Sequence, residues 1–189
     1  MIKRFEKKIK RKKARGVAIA ILLVIIGVGI FWQMEIYTKG DVAKNIDEKI
    51  VGPGKITATI EIRCDSLSDN MSNLKKKEKA KWIPKDGVIL KKTTYVLEKD
   101  ATVFDLLRKA TESQQIQTEY SYTKAYNSYY VEAINHLYEF DGGKLSGWQY
   151  YVNKQFPQHG CSKYKLKDND EVLWVYTCDN GKDIDLNEK

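Results

Sequence analysis

The chain has 189 residues, and most of it lacks charge of one sign. Residues 1–15 (MIKRFEKKIKRKKAR) hold nine basic residues and one acid, which is the whole net charge of +8. Residues 16–189 therefore carry 24 basic and 24 acidic residues and no net charge. A body without a basic excess does not present the electrostatic footprint that nucleic acid requires. Catalytic signatures are scarce as well. The chain has no G-x-S-x-G, no Walker loop, no G-x-G-x-x-G and no H-E-x-x-H, so no catalytic residue is assigned and a non-enzymatic role is expected. It holds only two histidines, His136 and His159, and His136 lies in the apolar run INHLYEF. There is no C-x-x-C, so the three cysteines Cys64, Cys161 and Cys178 do not read as a metal site. A cysteine nucleophile at Cys161 with His159 as its base rests on proximity in sequence alone.

What the sequence has in quantity is apolar and aromatic residues. Hydrophobic content of 42% and aromatic content of 11% supply a core and argue against global disorder. Residues 16–32 (GVAIAILLVIIGVGIFW) contain no charge. At about 1.5 Å per residue this run spans roughly 26 Å as a helix, near the thickness of the bilayer hydrocarbon. Trp32 and Tyr37 stand where interfacial aromatics lie. No A-x-A cleavage site follows, and no lipoprotein cysteine either. Residues 16–36 are therefore read as an uncleaved transmembrane signal anchor. The preceding basic tail, 1–15, is expected in the cytoplasm, which places everything beyond about residue 36 outside. The localisation expected is a single-pass cell-membrane protein. Residues 37–54 read as a juxtamembrane linker and 182–189 as a polar tail.

From Lys55 the pattern changes. Residues 55–64 (KITATIEIRC) alternate Ile56, Ala58, Ile60, Ile62 and Cys64 against Thr57, Thr59, Glu61 and Arg63, the mark of a half-buried strand. Residues 65–86 are polar and read as a loop or short helix. Gly87–Leu90 and Thr93–Leu97 read as short strands on either side of Lys91-Lys92. Thr102 opens a helix, with Asp105 as its capping partner. The apolar stripe of that helix is Val103, Phe104, Leu106, Leu107, Ala110 and Thr111. Further strands are expected at Thr118–Thr123, Tyr129–Ile134, Trp148–Asn153, Tyr164–Leu166 and Glu171–Cys178. One main helix on a mixed sheet gives an α+β class.

Ten of the twelve tyrosines lie between residues 120 and 176. Strand propensity explains them as core and cross-strand pairs, and a ring-bearing ligand or a protein partner explains them as a surface. Trp148, Tyr150, Tyr151 and Phe156 are the candidate ligand-binding residues, as apolar walls suit a small-molecule site. Outside the membrane a disulfide is permitted with one thiol left over. Both Cys64–Cys178 and Cys161–Cys178 are open.

Several short motifs recur together in one known family. They are Val103–Leu107 (VFDLL), Ser146-Gly147-Trp148, Tyr151-Val152-Asn153, Tyr164-Lys165-Leu166, Asp168–Glu171 (DNDE) and Trp174-Val175-Tyr176. With them, residues 57–181 resemble the bacterial transcobalamin-like C-terminal domain family, a domain of unknown function. The chain departs from the pattern at Lys154 and Asn169, two turn positions where the family usually has glycine. The resemblance implies a β-grasp-like extracytoplasmic domain at 55–181. It is similar to the smaller domain that caps the corrinoid in animal cobalamin carriers. A corrinoid ligand is implied by the resemblance only, and the residues themselves predict no cofactor. The functional expectation is a membrane-anchored extracytoplasmic module that binds a small molecule. An envelope protein-interaction domain is the alternative, and a metal-binding or thiol-dependent protein ranks behind both.

Overall fold

A computed structural model of the chain describes residues 52–186. The basic tail 1–15, the anchor 16–36 and nearly all of the linker 37–54 lie outside the described residues. Among the described residues, no helix is long and apolar enough to cross a membrane.

Strand β1 (Lys55–Arg63) begins the domain and buries Ile56, Ala58, Ile60 and Ile62 on one face, as its alternation dictates. A short helix, α1 (Asp65–Ser68), and two 3-10 turns (Met71–Asn73 and Lys77–Trp82) carry the polar segment to β2 (Val88–Glu98). β2 is one strand, where the sequence suggested two. Ile60 pairs with Thr93 and Ile62 with Leu90, so Lys91 and Lys92 together face the single residue Glu61. The lysine pair occupies a β-bulge, which bends the strand without ending it.

Helix α2 (Val103–Ser113) is fixed at its start by a reciprocal cap. The Asp105 N–H donates to Thr102 Oγ1 at 3.2 Å, and the Thr102 N–H donates to Asp105 Oδ2 at 2.8 Å. Such a cap contributes about 1 kcal/mol. The six residues of the expected stripe are the six that α2 buries. Each large apolar side chain among them adds roughly 1.5–3 kcal/mol.

The hairpin β3 (Thr118–Thr123) and β4 (Ser128–Ile134), with the two-residue β5 (Leu137–Tyr138), forms a small antiparallel sheet in the order β3-β4-β5. Strands β6 (Gly147–Val152) and β7 (Asp170–Thr177) complete a four-stranded sheet in the order β2-β1-β7-β6. In it β1 and β7 run parallel, while the outer pairs are antiparallel. The class is α+β, a mixed sheet with one main helix. The expected strand at Tyr164–Leu166 reduces to one bridge, Lys165 to Thr102. Its backbone groups are taken by the entry to α2: the Val103 N–H donates to the Tyr164 carbonyl and the Leu166 N–H to that of Ala101.

The two sheets are joined by buried side chains. The Trp148 indole donates to the Leu137 carbonyl at 2.8 Å, and the Tyr176 hydroxyl to the Tyr138 carbonyl at 2.8 Å. Tyr176 is fully buried, and its oxygen also accepts from the Gly142 N–H at 3.0 Å.

Candidate binding site

The four aromatics singled out in the sequence do not share a surface. Side chains along β6 alternate between faces. Trp148 and Tyr150 therefore enter the core, each under a tenth exposed. Tyr150 packs against Trp174 at 5.4 Å, and its hydroxyl donates to the His159 carbonyl at 2.6 Å. Burial pushes this phenol well up from its ordinary range. Tyr151 turns to the opposite face, where it meets Phe156 at 5.6 Å. Phe156 alone of the four is open, at 51% exposure. A binding wall built from all four is thus divided by the sheet itself.

Most of the exposed aromatics lie elsewhere, on β3, β4 and the turn between them. Every residue of β3 is exposed or half-buried. Tyr122 stands opposite Tyr129, and Tyr120, two residues before Tyr122, shares that face. Their exposures of 40% for Tyr120, 51% for Tyr122 and 38% for Tyr129 make a contiguous patch. Its backing is buried. Phe104, buried at the start of α2, stacks on Tyr129 at 4.4 Å and 13°. Tyr120 meets Phe104 edge-on at 4.8 Å and Tyr129 at 5.5 Å, and Tyr122 meets Tyr129 edge-on at 5.6 Å. Pairs of this kind add about 0.5–1.5 kcal/mol each beyond their buried area. Tyr126 at the hairpin tip is 79% exposed. The sequence signal for this patch is TEYSYT, a strand without one aliphatic residue on either face.

A second concavity, of about 560 Å³, opens on the sheet face that α2 does not cover. Its floor includes Glu61, Arg63, Glu171, Leu173 and Val175, and its rim includes Ile184. Arg63 donates to Glu61 at 2.8 Å and to both oxygens of Asp65, at 2.6 and 2.5 Å. The hydrogen bond that Arg63 donates to Asp65, stronger than the opposing burial and joined by the one it donates to Glu61, drives the guanidinium further up. Lys92 pairs with Glu171 at 2.6 Å across the floor. One wall is formed by residues 183–186, part of the polar tail expected at 182–189. Thr177 Oγ1 donates to Asp183, and the Cys178 N–H donates to the same carboxylate at 2.7 Å. Burial raises the Asp183 carboxyl, but the bonds from Thr177 and Cys178 outweigh it and hold the group below its ordinary value.

The three cysteines are free thiols in this structure. Burial pushes Cys161 up to about 12. A nucleophile needs the opposite shift. Its Sγ donates to the Tyr129 carbonyl at 3.4 Å, beneath the tyrosine patch. His136, at a positive φ of 62°, meets the Trp82 ring at 4.0 Å, tilted by 33°. Among the described residues no group of three His, Cys, Asp or Glu side chains is placed to hold a metal ion.

Residues 100–178 match the family described as Domain of unknown function (DUF4430). Among solved structures, the chain is similar to haptocorrin in complex with Cbi, with a TM-score of 0.48 and 10% identity. That similarity covers 65% of this chain and 25% of the haptocorrin chain. It is also similar to a "putative metal binding protein" from Ruminococcus gnavus, with a TM-score of 0.36 and 12% identity, over 65% of this chain and 96% of that one. No curated protein matches the sequence.

Proposed function

We propose that the chain is a non-enzymatic binding module tethered to the outer face of the cell membrane by residues 16–36, and that it takes its partner on the tyrosine patch of β3 and β4. The observation that carries this reading is the patch itself: three adjoining exposed tyrosines held from behind by Phe104. Clustered exposed aromatics are uncommon on a surface that binds nothing. Tyrosine offers broad contact area at low entropy cost, with a hydroxyl that stays hydrogen-bonded when the ring is covered. Neither described cavity is lined by these tyrosines, so the patch is a surface rather than a cleft, which suits an envelope protein better than a small molecule.

A second reading has its own observation, the 560 Å³ groove beneath the C-terminal segment. Its size falls in the range of small-molecule sites. A corrinoid comes into consideration there through the family resemblance, which the match over 100–178 supports.

Site-specific photo-crosslinking in cells separates the two. A crosslinker at position 122 is expected to capture an envelope protein, and one at position 92 is not. Titration of the full chain with cobinamide is expected to leave the tryptophan fluorescence unchanged. Quenching that saturates, with no protein captured from position 122, would replace the first reading by the second. A reporter fused to residue 189 tests the outward orientation, and activity of a cytosol-only reporter there defeats it.

A further inference from the structure

Cys64 and Cys178 are the first residues beyond β1 and β7. These strands are parallel neighbours, in a register that sets Arg63 beside Val175. Continued by one residue, that register brings Cys64 beside Tyr176, with Cys178 one pleat further on. Both cysteines fall on the core side of the sheet, the side of Ile62, Trp174 and Tyr176. With parallel strands about 4.8 Å apart and two residues rising about 6.6 Å, such diagonal neighbours stand about 8 Å apart at Cα. That is above the usual span of a disulfide. Both residues lie past the ends of their ladders, so strand pairing does not fix this spacing; the Cys64 N–H donates to the Gly87 carbonyl and the Cys178 N–H to Asp183, both at 2.7 Å, and a local shift at these bonds closes the difference. Gly142 lies alongside, and a Cβ built on it meets Cys178 Sγ at 3.1 Å and Leu67 Cδ1 at 3.2 Å. The bare glycine leaves space in which the Cys178 side chain can turn.

Cys161 is placed differently. Its carbonyl accepts from the Phe104 N–H at 3.1 Å, at the opening of α2. That opening follows Glu98, which pairs with Lys55 at the far end of β1 from Cys64. The Cys161 Sγ is engaged by the Tyr129 carbonyl on β4, at 3.4 Å.

We propose that Cys64 and Cys178 form an intramolecular disulfide in an oxidising compartment, leaving Cys161 a thiol. A small-molecule disulfide such as oxidised glutathione is the oxidant. The Cys178 thiolate attacks one glutathione sulfur, the S–S bond breaks, and one glutathione leaves as its thiolate. The Cys64 thiol, its proton passed to solvent, then displaces the second glutathione from Cys178. One disulfide is reduced to two thiols while two protein thiols become one disulfide. Cys178 is partly exposed and Cys64 is not, which sets this order. Burial holds the Cys178 thiol at about 11 and Cys64 at about 12, so exchange accelerates with rising pH. The bond fastens the root of the C-terminal segment to the start of α1.

The test is a thiol count on the full chain in detergent, after incubation with oxidised glutathione at pH 8. The protein is then unfolded and alkylated, and its peptides are mapped by mass spectrometry. The expected result is one alkylated cysteine, Cys161, and one peptide pair linking residues 64 and 178. Cys161→Ser is expected to leave no free thiol and the same linked pair. Three alkylated cysteines overturn the proposal. So does any link through Cys161, a chain-to-chain dimer, or a glutathione adduct at Cys178 that never resolves.

Discussion

Replacing Tyr176 with Phe removes one oxygen from the junction between the two sheets and leaves the ring in place. That oxygen makes three contacts: it donates to the Tyr138 carbonyl, accepts from the Gly142 N–H, and meets Ser146 Oγ at 2.9 Å. Each partner keeps one other bond. The Tyr138 carbonyl still accepts from the Asp141 N–H at 3.2 Å. The Gly142 N–H still donates to Ser146 Oγ at 3.0 Å, and Ser146 Oγ to the Gly143 carbonyl at 2.9 Å. No buried group is orphaned, so the cost is that of net hydrogen bonds rather than of desolvation, about 2 kcal/mol in total. With an m-value near 2 kcal/mol/M, urea unfolding is expected to shift its midpoint down by about 1 M at unchanged slope. A second reading uses the phenol itself. Burial pushes Tyr176 up to about 12, against about 10 in the unfolded chain. A raised phenol stabilises the fold fully below pH 10, and that contribution is lost as the pH climbs towards 12. The variant has no such contribution, so its stability deficit is expected to shrink between pH 10 and 12. A midpoint shift under 0.3 M, or a deficit constant across that range, refutes the junction as described.

Three further outcomes are expected. Lys154 and Asn169 hold positive φ values of 62° and 66°. Lys154→Gly is therefore expected to stabilise by about 1 kcal/mol in urea unfolding, with a smaller gain for Asn169→Gly because Asn tolerates this region better; a loss of stability in both counts against strain at these turns. Gly142→Ala places a methyl 3.1 Å from both Cys178 Sγ and Tyr176 Cε1 and is expected to cost about 1–3 kcal/mol, whereas an unchanged midpoint shows that the pocket gives way. The Asp183 carboxyl is held below its ordinary value, so its grip on the C-terminal segment is present above pH 4 and lost as the pH falls through its folded value. Hydrogen exchange at the Cys178 and Gly181 amides is expected to lose protection there before the core strands do, and simultaneous loss refutes a separate anchor.

The parts of the fold that were legible in the sequence are those where one local rule acts alone. β1 shows its two faces because nothing interrupts the alternation from Ile56 to Ile62. α2 shows its start because Thr102 and Asp105 satisfy each other without help from elsewhere. Legibility fails where a distant partner decides. Lys91-Lys92 looks like a break until Glu61 is seen opposite it. Tyr164–Leu166 looks like a strand, but its hydrogen bonds go to the entry of α2. The C-terminal residues look like a tail because Asp183 finds Thr177 only after the chain turns back. The four candidate site residues are parted for the same kind of reason. Trp148, Tyr150 and Tyr151 are close in sequence, but the pleat that makes them a strand also sends Tyr151 away from the other two.

The location of the tyrosine patch bears on what it is for. Val131, paired with Tyr120, is 4% exposed, and Phe104 is as deeply covered, so the hairpin is already anchored by aliphatic and phenyl groups. Tyr122 lies at the outer end of that series, touching the patch through Tyr129 alone among the described ring contacts. If the patch served only to hold the hairpin, Tyr122 would contribute mainly through that one edge contact, about 0.5–1.5 kcal/mol, and an aliphatic β-branched residue would pack a strand as well. Tyr122→Val then separates the two roles. A binding patch predicts that the variant unfolds within about 1 kcal/mol of the parent and loses the envelope-protein crosslink placed at a neighbouring position such as Lys124. A structural patch predicts the reverse, a midpoint lowered by roughly 0.3–0.8 M in urea with the crosslink intact.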